Sequence, residues 1–356
     1  MTFDLRSLLR PNVRDLKPYR CARDDYDTGI LLDANENSFG APMKTEVPEL
    51  NRYPDPHQSE LRSLIADFRG VQSENVFVGV GSDEAIDLLM RVIGTPGTDK
   101  LMTTPPTYGM YKVCANINDL QVVSAPLTPT FELRVDEMLA AVTPEVKLIF
   151  VCSPGNPTAV CCKRENIIKL LKAYTTGLVV VDEAYIDFAK DQKSCCDLLA
   201  DYPNLVVLQT LSKSFGLAGI RLGMLFGSEE IVSTLNKVKA PYNVNKLTSK
   251  VAIEGMKNID QMKAHVRATL EQRDVVTAAL QQMETVRKIH PTDANFLLVQ
   301  IDHSLEVYKR MADRGVVIRY RGDQTHCDDC VRITIGTADE NEKMLSLLRE
   351  IAAELS

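Results

Sequence analysis

No stretch of this 356-residue chain approaches 18 consecutive apolar residues, which excludes a membrane-spanning helix. Its first dozen residues hold no apolar signal core and no small-residue cleavage site, so no secretory signal is expected and a cytoplasmic protein is anticipated. Positive charge is not in excess: 41 Lys and Arg stand against 48 Asp and Glu, a net charge of −7. That removes the basic footprint that nucleic acid or an anionic membrane surface requires, and any phosphate recognised here is bound locally. No Gly-x-x-x-x-Gly-Lys-Ser/Thr loop is present, nor any internal repeat, low-complexity tract or long linker. The nine cysteines are an odd number for a chain with no secretory signal and read as reduced thiols. Cys161-Cys162 and Cys195-Cys196 are adjacent and cannot comfortably bridge each other or share a metal. Cys327-Asp328-Asp329-Cys330 has metal-knuckle spacing, but no second pair follows, and His326 alone leaves zinc short of four ligands. No metal is expected.

What the chain does have is ordinary globular composition, 45% hydrophobic and 25% charged, over a length suited to two domains. Short β-branched runs at 75–80, 100–103, 121–124, 147–151, 178–181, 205–209 and 221–226 alternate with helical stretches. They predict an α/β fold with a central, mostly parallel seven-stranded sheet. Loops rich in Gly, Pro, Ser or Asp follow these runs, and in such sheets ligands bind at the strands' carboxyl ends. From about Asn245 the pattern becomes one long helix through Glu284, a strand at 296–300, a helix at 305–314 and strands at 316–319 and 331–335. This predicts a smaller α+β unit. The expected division is an arm over 1–40 packing across the two units, a large domain over 41–245 and a small one over 246–356. The charged helix after Thr337 reads as a solvated face.

Four motifs fall in order on the strand ends. Gly81-Ser82-Asp83-Glu84-Ala85 opens a helix whose first amides are free donors, a natural anion site, though the same residues also make an ordinary N-cap. Ser153-Pro154-Gly155-Asn156-Pro157-Thr158 holds Asn156 between two prolines, with its amide aimed into the site. Val181-Asp182-Glu183-Ala184-Tyr185 ends a buried strand in a carboxylate; a magnesium role for the Asp-Glu pair lacks the phosphate loop that would accompany it. Thr210-Leu211-Ser212-Lys213-Ser214 begins a segment of small residues with Arg221 eight positions beyond Lys213. A lysine that forms an imine has to be deprotonated part of the time, so it needs a packed site and nearby positive charge to fall from about 10.4. Lys213 reads as the Schiff-base lysine for pyridoxal phosphate, with Arg221 supplying charge and a grip on the cofactor phosphate. Asp182 would keep the pyridine nitrogen protonated, and Asn156 and Tyr185 would reach the ring's phenolic oxygen.

Together the motifs resemble the fold-type I pyridoxal-phosphate aminotransferases over nearly the whole chain. The resemblance implies that Lys213 also carries the proton between the substrate Cα and the cofactor. It implies a cofactor-binding set of Ser82, Asp83, Tyr108, Asn156, Asp182, Tyr185, Thr210, Ser212, Lys213 and Arg221. Asn35-Glu36-Asn37, Asn51-Arg52-Tyr53-Pro54-Asp55, Pro105-Pro106-Thr107-Tyr108-Gly109-Met110-Tyr111 and Val331-Arg332-Ile333-Thr334-Ile335-Gly336-Thr337 are similar to the histidinol-phosphate aminotransferase group. That likeness implies exchange of an amino group between L-histidinol phosphate and 2-oxoglutarate, giving imidazole acetol phosphate and glutamate, in histidine biosynthesis. It also implies a homodimer in which Tyr53 reaches the neighbouring subunit's cofactor phosphate. Arginine's planar fork suits both a carboxylate and a phosphate, so Arg332 is the expected substrate clamp, helped by Arg319, Tyr19 and Asn35; Arg321 competes with Arg319 for that role. Two positions depart from the family pattern: Gly155 replaces asparagine and Ala159 replaces glycine, so loop geometry is expected to differ. Three alternatives stand beside this reading. They are a decarboxylase of a phosphorylated amino acid such as threonine phosphate, a broad aromatic aminotransferase, and a cofactor-binding regulator on the same scaffold.

Overall fold

A computed structural model describes residues 3–25, 28–44 and 46–355 of the protein. Seven strands, β1 (Val76–Val80), β2 (Lys100–Thr103), β3 (Gln121–Ser124), β4 (Val146–Cys152), β5 (Leu178–Asp182), β6 (Leu205–Thr210) and β7 (Leu222–Phe226), form one sheet. Their order is β1-β7-β6-β5-β4-β2-β3. Pairing is parallel from β6 through β5, β4 and β2 to β3, whereas β7 runs antiparallel to both β6 and β1. The expected mostly parallel seven-stranded sheet is therefore present, with every strand within about a residue of its sequence range.

The central strands are continuously apolar because both faces are covered. Val179, Val181, Leu205 and Val207 face one apolar layer, and Leu178, Val180, Val206 and Leu208 face the other. Helices Ser59–Arg69 and Arg164–Ala173 cover the first face, while Gly81–Ile93, Met110–Ile117 and Glu229–Val238 cover the second. The described start of the arm adds Leu5, Leu8 and Val13 to this second layer, with Arg10 N–H donating to Val92 O at 3.0 Å.

A second sheet, ordered β10-β11-β9-β8, is antiparallel throughout: β8 (Val286–Ile289), β9 (Phe296–Ile301), β10 (Arg319–Tyr320) and β11 (Cys330–Thr334). The expected strand at 316–319 shrinks to two residues, and β8 was not anticipated. The long helical pattern is two helices, Lys246–Lys257 and Ile259–Leu280, broken at Asn258, whose side chain donates to Glu254 O at 2.8 Å. The first of these places Ala252 and Met256 in the large sheet's core. We propose that the small unit begins at Asn258. The two units meet through an apolar cluster that includes Tyr185, Phe188, Met262, Val266 and Phe296.

Candidate active site

The carboxyl ends of the parallel strands and the start of β7 border a cavity of about 590 Å³. At one end, Gly81 opens the helix Gly81–Ile93 in a left-handed conformation (φ +71°), and a Cβ there would come within 2.7 Å of Arg221 Nη2. Gly223 matters equally, because its Cβ would lie 2.1 Å from the backbone N of Ser82. Two glycines thus let the helix N-terminus, with Ser82 and Asp83, press against β7 and the Arg221 guanidinium. Arg221 Nη2 lies 3.2 Å from Asp83 Oδ2, and the Tyr108 hydroxyl donates to Asp83 Oδ1 at 3.1 Å. Ser212 N–H donates to Thr210 Oγ1 at 3.1 Å, and the Thr210 hydroxyl reaches Leu222 O at 3.0 Å, fixing the turn that leads to Lys213.

Asp182 forms the floor, 3% exposed at the end of β5. It accepts from the Tyr111 hydroxyl at 2.6 Å and from Ala184 N–H at 3.2 Å. Burial pushes its carboxyl up to about 6, with the Tyr111 hydrogen bond pulling the other way. Tyr111 is itself fully buried and stacked on Phe150 at 4.7 Å between ring centroids. Lys213 opens into the cavity with Nζ 5.4 Å from the centre of the Tyr185 ring. Desolvation lowers its pKa, helped by Arg332 and Arg221 and opposed by Asp182. That is the combination an imine-forming lysine needs.

At the other end, Arg332 Nη1 donates to Asn156 Oδ1 at 2.5 Å, joining the proline-bounded loop to β11 across the two units. Ala159, two residues past Pro157, takes a left-handed φ of +64°, the conformation that glycine adopts at no cost. Arg321 and Gln324 line this end as well. Arg319 lies directly opposite Arg332 in the β10–β11 register but does not border the cavity. Of the arginines expected at the substrate clamp, Arg332 borders the cavity and Arg319 does not, whereas Arg321, just past the end of β10, does.

The arm residues lie elsewhere. Asn35 and Tyr53 border a separate depression of about 360 Å³, Tyr53 is stacked on Tyr242 at 4.6 Å, and Tyr19 is 72% exposed. Glu36 holds this region together: it bonds Arg23 at 2.5 Å, Arg52 at 2.8 Å and the Tyr53 N–H at 2.6 Å, and Arg23 holds its carboxyl down at about 2. Within a single chain Tyr19, Asn35 and Tyr53 do not join the cavity. The residues that sequence reasoning missed are Tyr111, Thr107 and Gln324. Tyr111 had a signal, since it stands three positions after Tyr108 in the same sequence motif.

The class I and II aminotransferase family model matches residues 27–348, and the chain belongs to that family. It is thus an enzyme dependent on pyridoxal 5′-phosphate. The histidinol-phosphate aminotransferase of Cytophaga hutchinsonii is 46% identical over 351 residues, covering 98% of this chain and 99% of the relative. The structure of the Sinorhizobium meliloti histidinol-phosphate aminotransferase in complex with pyridoxal-5′-phosphate superposes with a TM-score of 0.79 at 23% identity, covering 91% of this chain and 90% of that one. The L-threonine-O-3-phosphate decarboxylase of Porphyromonas gingivalis shares the fold too, with a TM-score of 0.72 at 19% identity, covering 85% of this chain and 91% of that one. The cavity fits the cofactor on its own evidence. Among the described residues, Thr107 Oγ1 is buried beside it without a partner and Asp182 is a buried carboxylate in no ion pair, while the far wall gathers a guanidinium and a helix N-terminus where an anion belongs.

Proposed function

We propose that the protein transfers the amino group of L-histidinol phosphate to 2-oxoglutarate, giving imidazole acetol phosphate and L-glutamate. The observation that carries this reading is the arginine end of the cavity. Arg332 and Arg321 line it, Arg319 stands beside them, and among the described residues none of the three is held in an ion pair by a carboxylate. Burial and mutual repulsion lower the pKa of Arg321. Such a cluster suits a dianionic phosphate ester in one half-reaction and the carboxylates of glutamate in the other. The name carried by the Cytophaga hutchinsonii relative supports the same substrate.

In this reading Ser82, Thr210, Ser212 and Arg221 hold the cofactor phosphate, with Asp83 and Tyr108 orienting Arg221 and the ring. Asn156 and Tyr185 face the ring oxygen, and Asp182 faces the ring nitrogen. When bound, pyridoxal phosphate supplies an electron sink for the charge left at the substrate Cα. Lys213 Nζ anchors the cofactor in the resting enzyme and moves the Cα proton during turnover; its depressed pKa leaves a neutral fraction able to accept that proton. Arg332 binds the anionic end of the donor, and Asn156 fixes the guanidinium plane.

The working unit is a homodimer in the cytoplasm. Ile30, Leu32 and Phe39 of the arm are 90%, 79% and 101% exposed, an amount of apolar surface that suits burial against a second copy. Tyr53 and Tyr19 would then complete the partner's site. The test is a single turnover of holoenzyme with L-histidinol phosphate, threonine phosphate or phenylalanine, following cofactor absorbance and carbon dioxide. Fast bleaching by histidinol phosphate without carbon dioxide is expected. Carbon dioxide from threonine phosphate would make the enzyme a decarboxylase, preferential bleaching by phenylalanine an aromatic aminotransferase, and no half-reaction with any donor a cofactor-binding regulator.

A further inference from the structure

Behind the cavity wall lies a largely buried polar network that the proposed reaction leaves without a role. Its centre is Arg69, the last residue of the helix Ser59–Arg69. The guanidinium spans two acceptors: Nε donates to Gln209 Oε1 at 2.6 Å and Nη2 to Asp187 Oδ1 at 2.8 Å. The other Asp187 oxygen accepts from the Ser214 hydroxyl at 2.6 Å. Gln209 Nε2 donates in turn to Glu183 Oε2 at 2.9 Å, and Glu183 also accepts from the Ser194 hydroxyl at 2.6 Å and from Cys195 N–H at 2.7 Å. A second contact from the same helix end is apolar: the Phe68 and Phe215 rings meet edge to face at 5.7 Å, with the Arg69 guanidinium 4.2 Å from the centre of the Phe68 ring.

None of Arg69, Gln209, Glu183, Asp187 and Ser214 borders the cavity, but the last four stand one or two positions from residues that do. Glu183 follows Asp182, Asp187 comes two residues after Tyr185, Gln209 precedes Thr210 and Ser214 follows Lys213. Pairing of β5 with β6 ends at Asp182 and Leu208, with one more bond from Glu183 N–H to Leu208 O at 2.8 Å. Past that point Arg69 ties the two loops together. Gly216 N–H donates to Lys213 O at 3.1 Å, so the turn carrying the lysine moves as one piece with Ser214. The helix behind Arg69 is seated in the apolar core through Leu61 and Ile65, which makes it a fixed support. We infer that Arg69 is a positioning residue, whose guanidinium sets the Lys213 amine relative to Asp182, and so relative to the cofactor ring, while bonding to neither. This rests on the roles proposed above for Lys213 and Asp182, and not on which amino donor is used. A misplacement of about 1 Å costs about a hundredfold in rate, so a rigid tie behind the wall has a large effect on the chemistry in front of it.

The test removes one link at a time. Ser214→Ala deletes a hydroxyl and leaves the Arg69–Asp187 pair intact, Arg69→Lys keeps the charge and loses the fork, and Arg69→Leu removes both. Three quantities are measured: the Tm of the apoprotein, the rate at which added pyridoxal phosphate becomes fixable to the chain by borohydride, and kcat and KM with L-histidinol phosphate. Ser214→Ala and Arg69→Lys are expected to slow fixation and lower kcat about tenfold, the size of a lost hydrogen bond to a charged group. Arg69→Leu is expected to lower both about a hundredfold. KM stays within twofold, because the donor's anionic end is held at the opposite end of the cavity. A lowered Tm with wild-type kcat per fixed cofactor would overturn the inference, since the network would then serve the fold alone; if Arg69→Leu does not fold, Ser214→Ala and Arg69→Lys decide. Fixation needs no substrate, so it reads the network even in an enzyme that ignores L-histidinol phosphate. Lys213→Ala is the control. Fixation that persists in it would remove the lysine assignment and the inference with it. Fixation lost in Lys213→Ala but at wild-type rate in the other variants would overturn the role of Arg69 and keep that of Lys213.

Discussion

Asp182 carries a cost that the bound cofactor would remove. Its carboxyl rises from 3.8 to about 6 because charging it at 3% exposure, with only a hydroxyl and one amide as partners, is unfavourable. A folded pKa above the unfolded one means that the penalty is absent below about pH 4, grows between pH 4 and 6, and is complete above pH 6. About two pKa units correspond to about 3 kcal/mol at 1.36 kcal/mol per unit. Cofactor-free Asp182→Asn is therefore expected to lose the decline in Tm that the cofactor-free wild type shows between pH 4 and 7, while its turnover with cofactor falls by several orders of magnitude. Thermal melts of the two apoproteins across that range check the first half; parallel curves would remove the burial argument. Full turnover by the variant would remove Asp182 from the ring nitrogen.

The elements of the large sheet were legible in the sequence because β4, β5 and β6 are covered on both faces and read as unbroken apolar runs. The motif at each strand end followed from there. β8 was not legible: its Val-Arg-Lys-Ile sequence lies at the sheet edge with its two central side chains exposed, and it carries no apolar run. The break at Asn258 was also hidden, since helical spacing continues on either side of it. Which of Arg319 and Arg321 borders the cavity depended on where its wall falls at the end of β10, which spacing alone does not give. Tyr111 could be seen in its motif, but its bond to Asp182 joins positions 71 residues apart. An element-level test lies in the close approach of β7 to the helix Gly81–Ile93. Gly223→Ala places a methyl group on backbone atoms that cannot rotate away, so the helix N-terminus shifts and cofactor affinity is expected to fall by an order of magnitude or more. Equilibrium dialysis of pyridoxal phosphate reads this directly, and unchanged affinity would show that the helix end does not hold the phosphate.

At the scale of the whole molecule, the question is which chain completes which site. If Tyr53 acts across a dimer interface, Tyr53→Ala and Lys213→Ala fall on the same site of a mixed dimer, and the other site then holds neither change. Random exchange between two inactive pools should restore about a quarter of wild-type sites, as expected for a twofold dimer. Activity that stays at background after mixing and subunit exchange would place Tyr53 in its own chain's site.

The reversed direction of β7 has a further consequence. A parallel crossover would carry the chain away from the cavity after β6, but here Thr210 and Gly223 are register partners, so the intervening segment leaves and returns across a single strand spacing. Lys213 and Arg221 thus ride on a closed arc whose two feet are rooted in the sheet. The distance between the amine and the guanidinium is set by the scaffold before any ligand arrives, and little ordering entropy is left for binding to supply.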